Sequence, residues 1–182
     1  MKRKLLQAIL LATLSLTLFN SCGNPTTQST EDVVPAGWRA IDLTNSGQPL
    51  LINVPDSSYF PTVDTMETPT GIQVRVGRNF DLLVNVAGPE EADLEKQKAL
   101  INATDAGANT FLSSDSATLI WETKFGELSM HHFYRIVKTA HGNFYVRDNN
   151  ANTDNQFKKE DIDRMVESAK SLRAKPSAQP AA

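Results

Sequence analysis

An apolar side chain at every second position recurs through the first half of this chain, and it constrains the fold more than any other feature. Leu50, Ile52 and Val54 alternate up to Pro55. Ile72, Val74 and Val76 alternate with Gln73 and Arg75, and Phe80, Leu82, Val84 and Val86 resume the period after Gly77-Arg78. Side chains two apart share one face of a strand, so each run reads as a strand with one face buried. The glycine between the second and third runs marks a hairpin. Between the first two runs, Asp56 to Thr70 carries Pro61 and Pro69 and has no period, so it reads as a long loop.

The second half adds helices. Pro89-Glu90-Glu91 has the composition of a helix start, with proline near the first position and carboxylates facing the positive end of the dipole. Leu94, Gln97, Lys98 and Ile101 then share a thin, partly exposed stripe. A short strand around Thr110 and Leu112 turns at Asp115-Ser116 into one whose face carries Leu119, Trp121, Thr123 and Phe125. A turn near Gly126 leads to a long strand over 129–139. Ala140 to Asn143 is a tight hairpin; a two-residue turn at His141-Gly142 sets Arg135 opposite Asp148 and Val137 opposite Val146. Ile162, Met165, Val166, Ala169 and Leu172 recur at helical spacing and predict a helix over 157–172. The fold class is α+β: a mainly antiparallel sheet with one helix inserted mid-chain and a C-terminal helix packed on it.

The amino terminus has a separate logic. Lys2, Arg3 and Lys4 precede a largely apolar stretch from Leu5 to Phe19, fifteen residues long and too short to span a bilayer comfortably. Cys22 is the only cysteine and follows Phe19-Asn20-Ser21, which resembles the lipobox of bacterial lipoproteins. The resemblance implies cleavage before Cys22 and acylation of its thiol, and two or more acyl chains anchor a protein stably. The other reading is a plain secretory cut near Ser21. A leftover cysteine in an exported chain then needs an intermolecular disulfide or stays a free thiol. Gly23, where an inner-membrane retention signal has aspartate, favours the outer membrane. The organisation is thus a signal peptide over 1–21, a flexible tether over 22–35, one α+β domain over 36–173 and a disordered tail over 174–182.

Charge narrows the partners. Removing residues 1–21 takes away Lys2, Arg3 and Lys4 and no acidic residue, which leaves 15 basic against 21 acidic side chains, a net charge of minus six. No basic stripe interleaved with aromatics remains, so nucleic acid is not an expected partner.

The region from Trp38 to Leu172 resembles the Mog1/PsbP-like fold, shared by an extrinsic photosystem subunit and many small bacterial proteins and lipoproteins. The residues that carry the resemblance are the early strand ending at Val54-Pro55, the step from sheet to helix at Pro89-Glu90-Glu91, and the closing run from Met165 to Leu172. The Ser113-Ser114-Asp115-Ser116 stretch stands where the family usually has a glycine turn. Such domains are mostly binding or assembly modules without catalysis, so the resemblance implies docking to a protein partner.

Candidate chemistry is sparse. Asp148, Asn150, Asn152 and Asp154 fall at the first, third, fifth and seventh places of an EF-hand-like calcium loop. Thr153 stands where glycine permits the sharp turn, and Lys159 where a bidentate glutamate belongs; a loop capping the following helix accounts for the same residues. His131 and His132 are adjacent on a strand and point to opposite faces, so they cannot chelate one ion, and His141 is remote. One of them reads as a half-buried filler beside Phe133 and Tyr134. No Gly-x-Ser-x-Gly elbow, phosphate loop or dinucleotide fingerprint is present. Glu90-Glu91 and Glu160-Asp161 sit at helix starts, where the dipole explains them. Trp121 beside Leu119 reads as core; Trp38, ahead of the first strand, pins the start of the domain or faces a partner. The expectation is a lipid-anchored, non-enzymatic binding or assembly protein of the bacterial envelope without a cofactor. The alternative is a small-ligand or calcium-responsive module built on 148–154.

Overall fold

The computed structural model describes residues 34–56, 62–104, 107–150 and 156–176. Cys22, the expected signal and tether up to Val33, and the calcium-loop positions Asn152 and Asp154 lie outside the described residues.

Two antiparallel sheets carry the fold. In the smaller, β2 (Leu50–Pro55) lies between β1 (Trp38–Asp42) and the two-residue β10 (Arg173–Ala174). The larger has seven strands in the order β3, β4, β5, β9, β8, β7, β6, comprising β3 (Val63–Thr68), β4 (Gly71–Val76), β5 (Asp81–Val86), β6 (Ala108–Ser114), β7 (Thr118–Phe125), β8 (Leu128–Thr139) and β9 (Gly142–Asp148). Helix α1 (Leu94–Asn102) joins β5 to β6, and α2 (Lys159–Lys170) follows β9.

The two-residue period decides which face each strand buries. Ile72, Val74, Leu82, Val84, Phe133, Phe144 and Val146 meet Leu50, Ile52 and Val54 of β2 and Ile162, Met165 and Ala169 of α2 in the main core. At roughly 1.5–3 kcal/mol for each large aliphatic side chain taken from water, this face dominates stability. Phe133 and Tyr134 are neighbours on β8 and point to opposite faces, so Tyr134 belongs to a second cluster with Leu119 and Ile136. Leu94 and Ile101 of α1 close over that cluster. The two helices therefore cover opposite faces of the large sheet.

Helix α2 is stitched to the small sheet by hydroxyls. Ser168 donates to the carbonyl of Asn53 at 2.5 Å, and Ser171 accepts from the N–H of Asn53 at 2.7 Å. Asp161 caps the start of the helix by accepting from the N–H of Lys158 at 3.0 Å. Next to β1, the Lys175 ammonium and then the Thr44 hydroxyl hold the Asp42 carboxyl down at about 2.

Several expectations change in detail. The segment over 56–70 is not one long loop, because 63–68 forms edge strand β3; both its faces are largely exposed, so no period marks it. Trp38 does not precede the first strand but begins it, opposite Pro55. Helix α1 starts at Leu94, not at Pro89, since Asp93 supplies the cap, accepting from the N–H of Lys96 at 3.1 Å. The β8–β9 turn is Ala140-His141, with Thr139 opposite Gly142. Val146 thus faces Arg135 and Phe144 faces Val137, a shift of two residues that leaves every side chain on its expected face. Ala174, placed in the expected tail, pairs with Leu50.

Candidate functional site

The second face of the large sheet is closed by α1 at one end and opens into a cleft at the other. Its floor comes from the β7–β8 hairpin, whose two-residue turn has Gly126 at φ 61° and no positive φ at Glu127, the pattern of a turn with glycine first. That turn fixes three cross-strand pairs on this face: Trp121 with His132, Thr123 with Met130, and Phe125 with Leu128. The face runs from the buried Leu119 and Tyr134 to the exposed Phe125 and Leu128. The cleft over these pairs has a volume of about 290 Å³.

Its walls come from three other elements. Ile101 and Thr104 stand at the end of α1, Asn109 on β6, and Asn150 just past β9. The Asn109 amide donates to the carbonyl of Ile101 at 2.7 Å and accepts from the Thr123 hydroxyl at 2.7 Å, tying helix, edge strand and floor together. Thr104 donates to Leu100. Higher up, Tyr134 donates to the Glu91 carbonyl at 2.8 Å, and burial pushes its phenol well above the usual range.

His132 is the most constrained polar group in the cleft. Its ring stacks on Trp121 with centroids 5.2 Å apart and planes at 28°. Nδ1 lies 2.9 Å from Oδ2 of Asp148, and a carboxylate only accepts, so Nδ1 carries the proton and donates. Oδ1 of Asp148 accepts the N–H of Phe133 at 2.8 Å. This leaves Nε2 as the ring atom available to a ligand. Among the described residues no serine, threonine or cysteine is hydrogen-bonded to His132.

The calcium-loop positions are divided. Asp148 is buried with both oxygens engaged inside the protein, and Asn150 lines the cleft. Among the described residues no three histidine, cysteine, aspartate or glutamate side chains are grouped to hold a metal ion. His131 lies on the opposite face, paired across the ladder with Glu122; the Ser129 hydroxyl, hydrogen-bonded to that carboxyl, lowers its pKa. Trp121, read as core, is only partly buried and forms part of the cleft floor. The His132–Asp148 pair escapes a linear reading because its partners are sixteen residues apart. Its one available sign is the hairpin count: an Ala140-His141 turn sets Asp148 level with Phe133, beside His132.

A second pocket of about 240 Å³, lined by Asp64, Arg75, Arg78 and Asp81, is polar. Arg75 and Asp64 are paired there at 3.2 Å. Burial raises the pKa of Asp81 even though Gln73 and Asn149 donate to it.

No protein-family model matches the chain, and no curated protein and no solved structure is significantly similar to it. Among the described residues no helix is long and apolar enough to cross a membrane.

Proposed function

We propose that this is a lipid-anchored, non-enzymatic binding protein of the bacterial cell envelope, held by acylated Cys22 at the outer membrane and taking a protein partner at the cleft between α1 and the β7–β8 hairpin. The observation that carries the binding reading is the continuity of the cleft floor with an exposed apolar rim: Phe125 lines the cleft and is 42% exposed, and Leu128 beside it is 40% exposed. Contiguous exposed apolar surface next to a concave site is the usual mark of a recognition surface. The anchor reading rests on the Lys2–Lys4 basic start, the apolar stretch to Phe19 and the single cysteine at 22. What supports placing the domain with the Mog1/PsbP-like fold is its antiparallel sheet with α1 on one face and α2 on the other.

One experiment tests site and anchor together. A photoreactive residue is placed at Phe125, and as a control at the exposed Met66 of edge strand β3, in the anchored protein in living cells. A discrete cross-linked species is expected from position 125, not from 66, and it should be lost when Cys22→Ala releases the protein from the membrane fraction. Identical products from both positions would remove the cleft reading. Acylated, membrane-bound Cys22→Ala protein would remove the anchor.

A further inference from the structure

We propose that the cleft binds copper(I), held between Nε2 of His132 and the thioether sulfur of Met130. The inference goes beyond the binding reading above and does not depend on it.

Strand β8 brings the two donors together. Met130 and His132 are two positions apart, so they share a face, and both line the cleft. Across the ladder they pair with Thr123 and Trp121. Two strand positions span roughly 7 Å, a gap that an imidazole and an unbranched thioether with three rotatable bonds close around one ion. His131, between them in sequence, lies on the other face opposite Glu122.

His132 has the setting of a metal ligand. Nδ1 donates to Oδ2 of Asp148 at 2.9 Å, so Nε2 of the neutral ring carries a free lone pair. The side chain is 15% exposed where it lines the cleft, and Nε2 is not among the side-chain atoms sealed from water. Ligating histidines almost always give their other N–H to a carboxylate, a carbonyl or water, which fixes the tautomer and, with a carboxylate, raises the basicity of the ligating nitrogen. Asp148 is itself fixed by the N–H of Phe133 at 2.8 Å, and its charge behind the ring offsets the charge that a cation brings.

Donor chemistry selects the ion. Imidazole nitrogen suits several transition metals, but thioether sulfur is soft and favours copper(I). Calcium and magnesium need several oxygen ligands, and the oxygens of Asp148 are both engaged inside the protein. Copper(I), a closed-shell ion, accepts low coordination numbers, so the site needs no cluster of histidines and carboxylates. Trp121, stacked on His132 with centroids 5.2 Å apart, places beside the site the aromatic face that attracts cations best.

The test uses silver(I), an air-stable ion of the same charge and softness, in chloride-free buffer, with the full chain carrying Cys22→Ala so that no thiol competes. Nitrogen-15 NMR of the histidine rings should show a saturable shift at Nε2 of His132. Calorimetry should give tighter binding of silver(I) than of zinc(II) or calcium(II). Loss of even an outer-shell partner weakens metal sites 10–100-fold, so Met130→Leu and His132→Gln should each weaken silver(I) binding by about tenfold or more. His131→Gln on the opposite face and Met66→Leu on β3 should leave it unchanged. Met130→Leu conserves volume and keeps the test decisive if His132→Gln fails to fold. The proposal is overturned by an unmoved His132 Nε2, by undiminished binding in Met130→Leu, or by tighter binding of zinc(II). If position 125 cross-links a discrete partner while silver(I) leaves His132 unmoved, the binding reading stands and this inference alone falls; the converse result removes the partner and keeps the metal.

Discussion

Asp148 holds a side chain and a backbone at once: Oδ2 lies 2.9 Å from Nδ1 of His132, and Oδ1 accepts the N–H of Phe133 at 2.8 Å. Only 6% of the residue is exposed, so water cannot replace either bond. Asp148→Ala should therefore destabilise the domain by about 2–3 kcal/mol, the cost of orphaning donors that a charged acceptor had satisfied. Asp148→Asn keeps an oxygen for Phe133 and loses the charge, and should cost about 1 kcal/mol. Urea unfolding of the three proteins checks the order; equal losses would mean that the negative charge, which both variants lack, matters and the acceptor oxygen kept by asparagine does not.

Ser168 is the buried link between α2 and the small sheet. Its hydroxyl satisfies the Asn53 carbonyl. Ser168→Ala keeps the helix and leaves that carbonyl unpaired, so a loss of about 1–2 kcal/mol is expected at an unchanged m-value. Hydrogen exchange should localise the effect to β2 and the C-terminal half of α2. Uniform loss of protection across β4 and β5 as well would mean that the small sheet does not open separately.

How much of this was legible in the chain depended on burial and on distance along it. Strands β2, β4 and β5 show their period because one face of each is buried under α2 or the opposing sheet. Strand β3 could not show one: its Val63-Asp64-Thr65-Met66-Glu67-Thr68 run lies at a sheet edge with little buried surface. Strand β1 was hidden likewise, with Arg39 and Asp42 in a half-exposed edge. The cleft was harder still. Trp121 and His132 are eleven positions apart and meet only because the Gly126-Glu127 turn sets the β7–β8 register. The spacing of Asn150 from Asp148 is visible in the chain, but that spacing says nothing of the direction in which the chain leaves β9.

Gly71 is held by close approach, not by an unusual backbone angle. A Cβ there would lie 2.2 Å from the Val84 carbonyl oxygen and 2.3 Å from Oδ1 of Asn85, whose buried amide has no hydrogen-bond partner among the described residues. Backbone cannot yield cheaply, so Gly71→Ala should cost about 3 kcal/mol or more by forcing β4 away from β5. Gly47→Ala is a useful control, because the space around Gly47 is open and only its left-handed φ of 87° resists, at about 1 kcal/mol. Thermal unfolding of the two variants should give the larger drop for position 71, and the reverse order would place the strain in the turn.

Asp115 gives the turn between β6 and β7 its pH dependence. Its Oδ1 accepts the N–H groups of Ala117 and Thr118, each at 2.7 Å. The bond from Ala117 is the main reason its pKa falls below 3.8, partly opposed by burial. A carboxyl with a lowered folded pKa stabilises the native state above its unfolded value and loses that contribution as the pH falls through the folded one. At neutral pH Asp115→Ala should cost about 0.5–1.5 kcal/mol, set by hydrogen bonding, since solvent screens the charge at this exposed site. The gap between wild type and variant should narrow as the pH is taken below 3.8 and the carboxyl protonates. Denaturant midpoints measured at neutral and at acid pH check the sign: a gap that widens on acidification would mean that the neutral carboxyl, not the carboxylate, holds the turn.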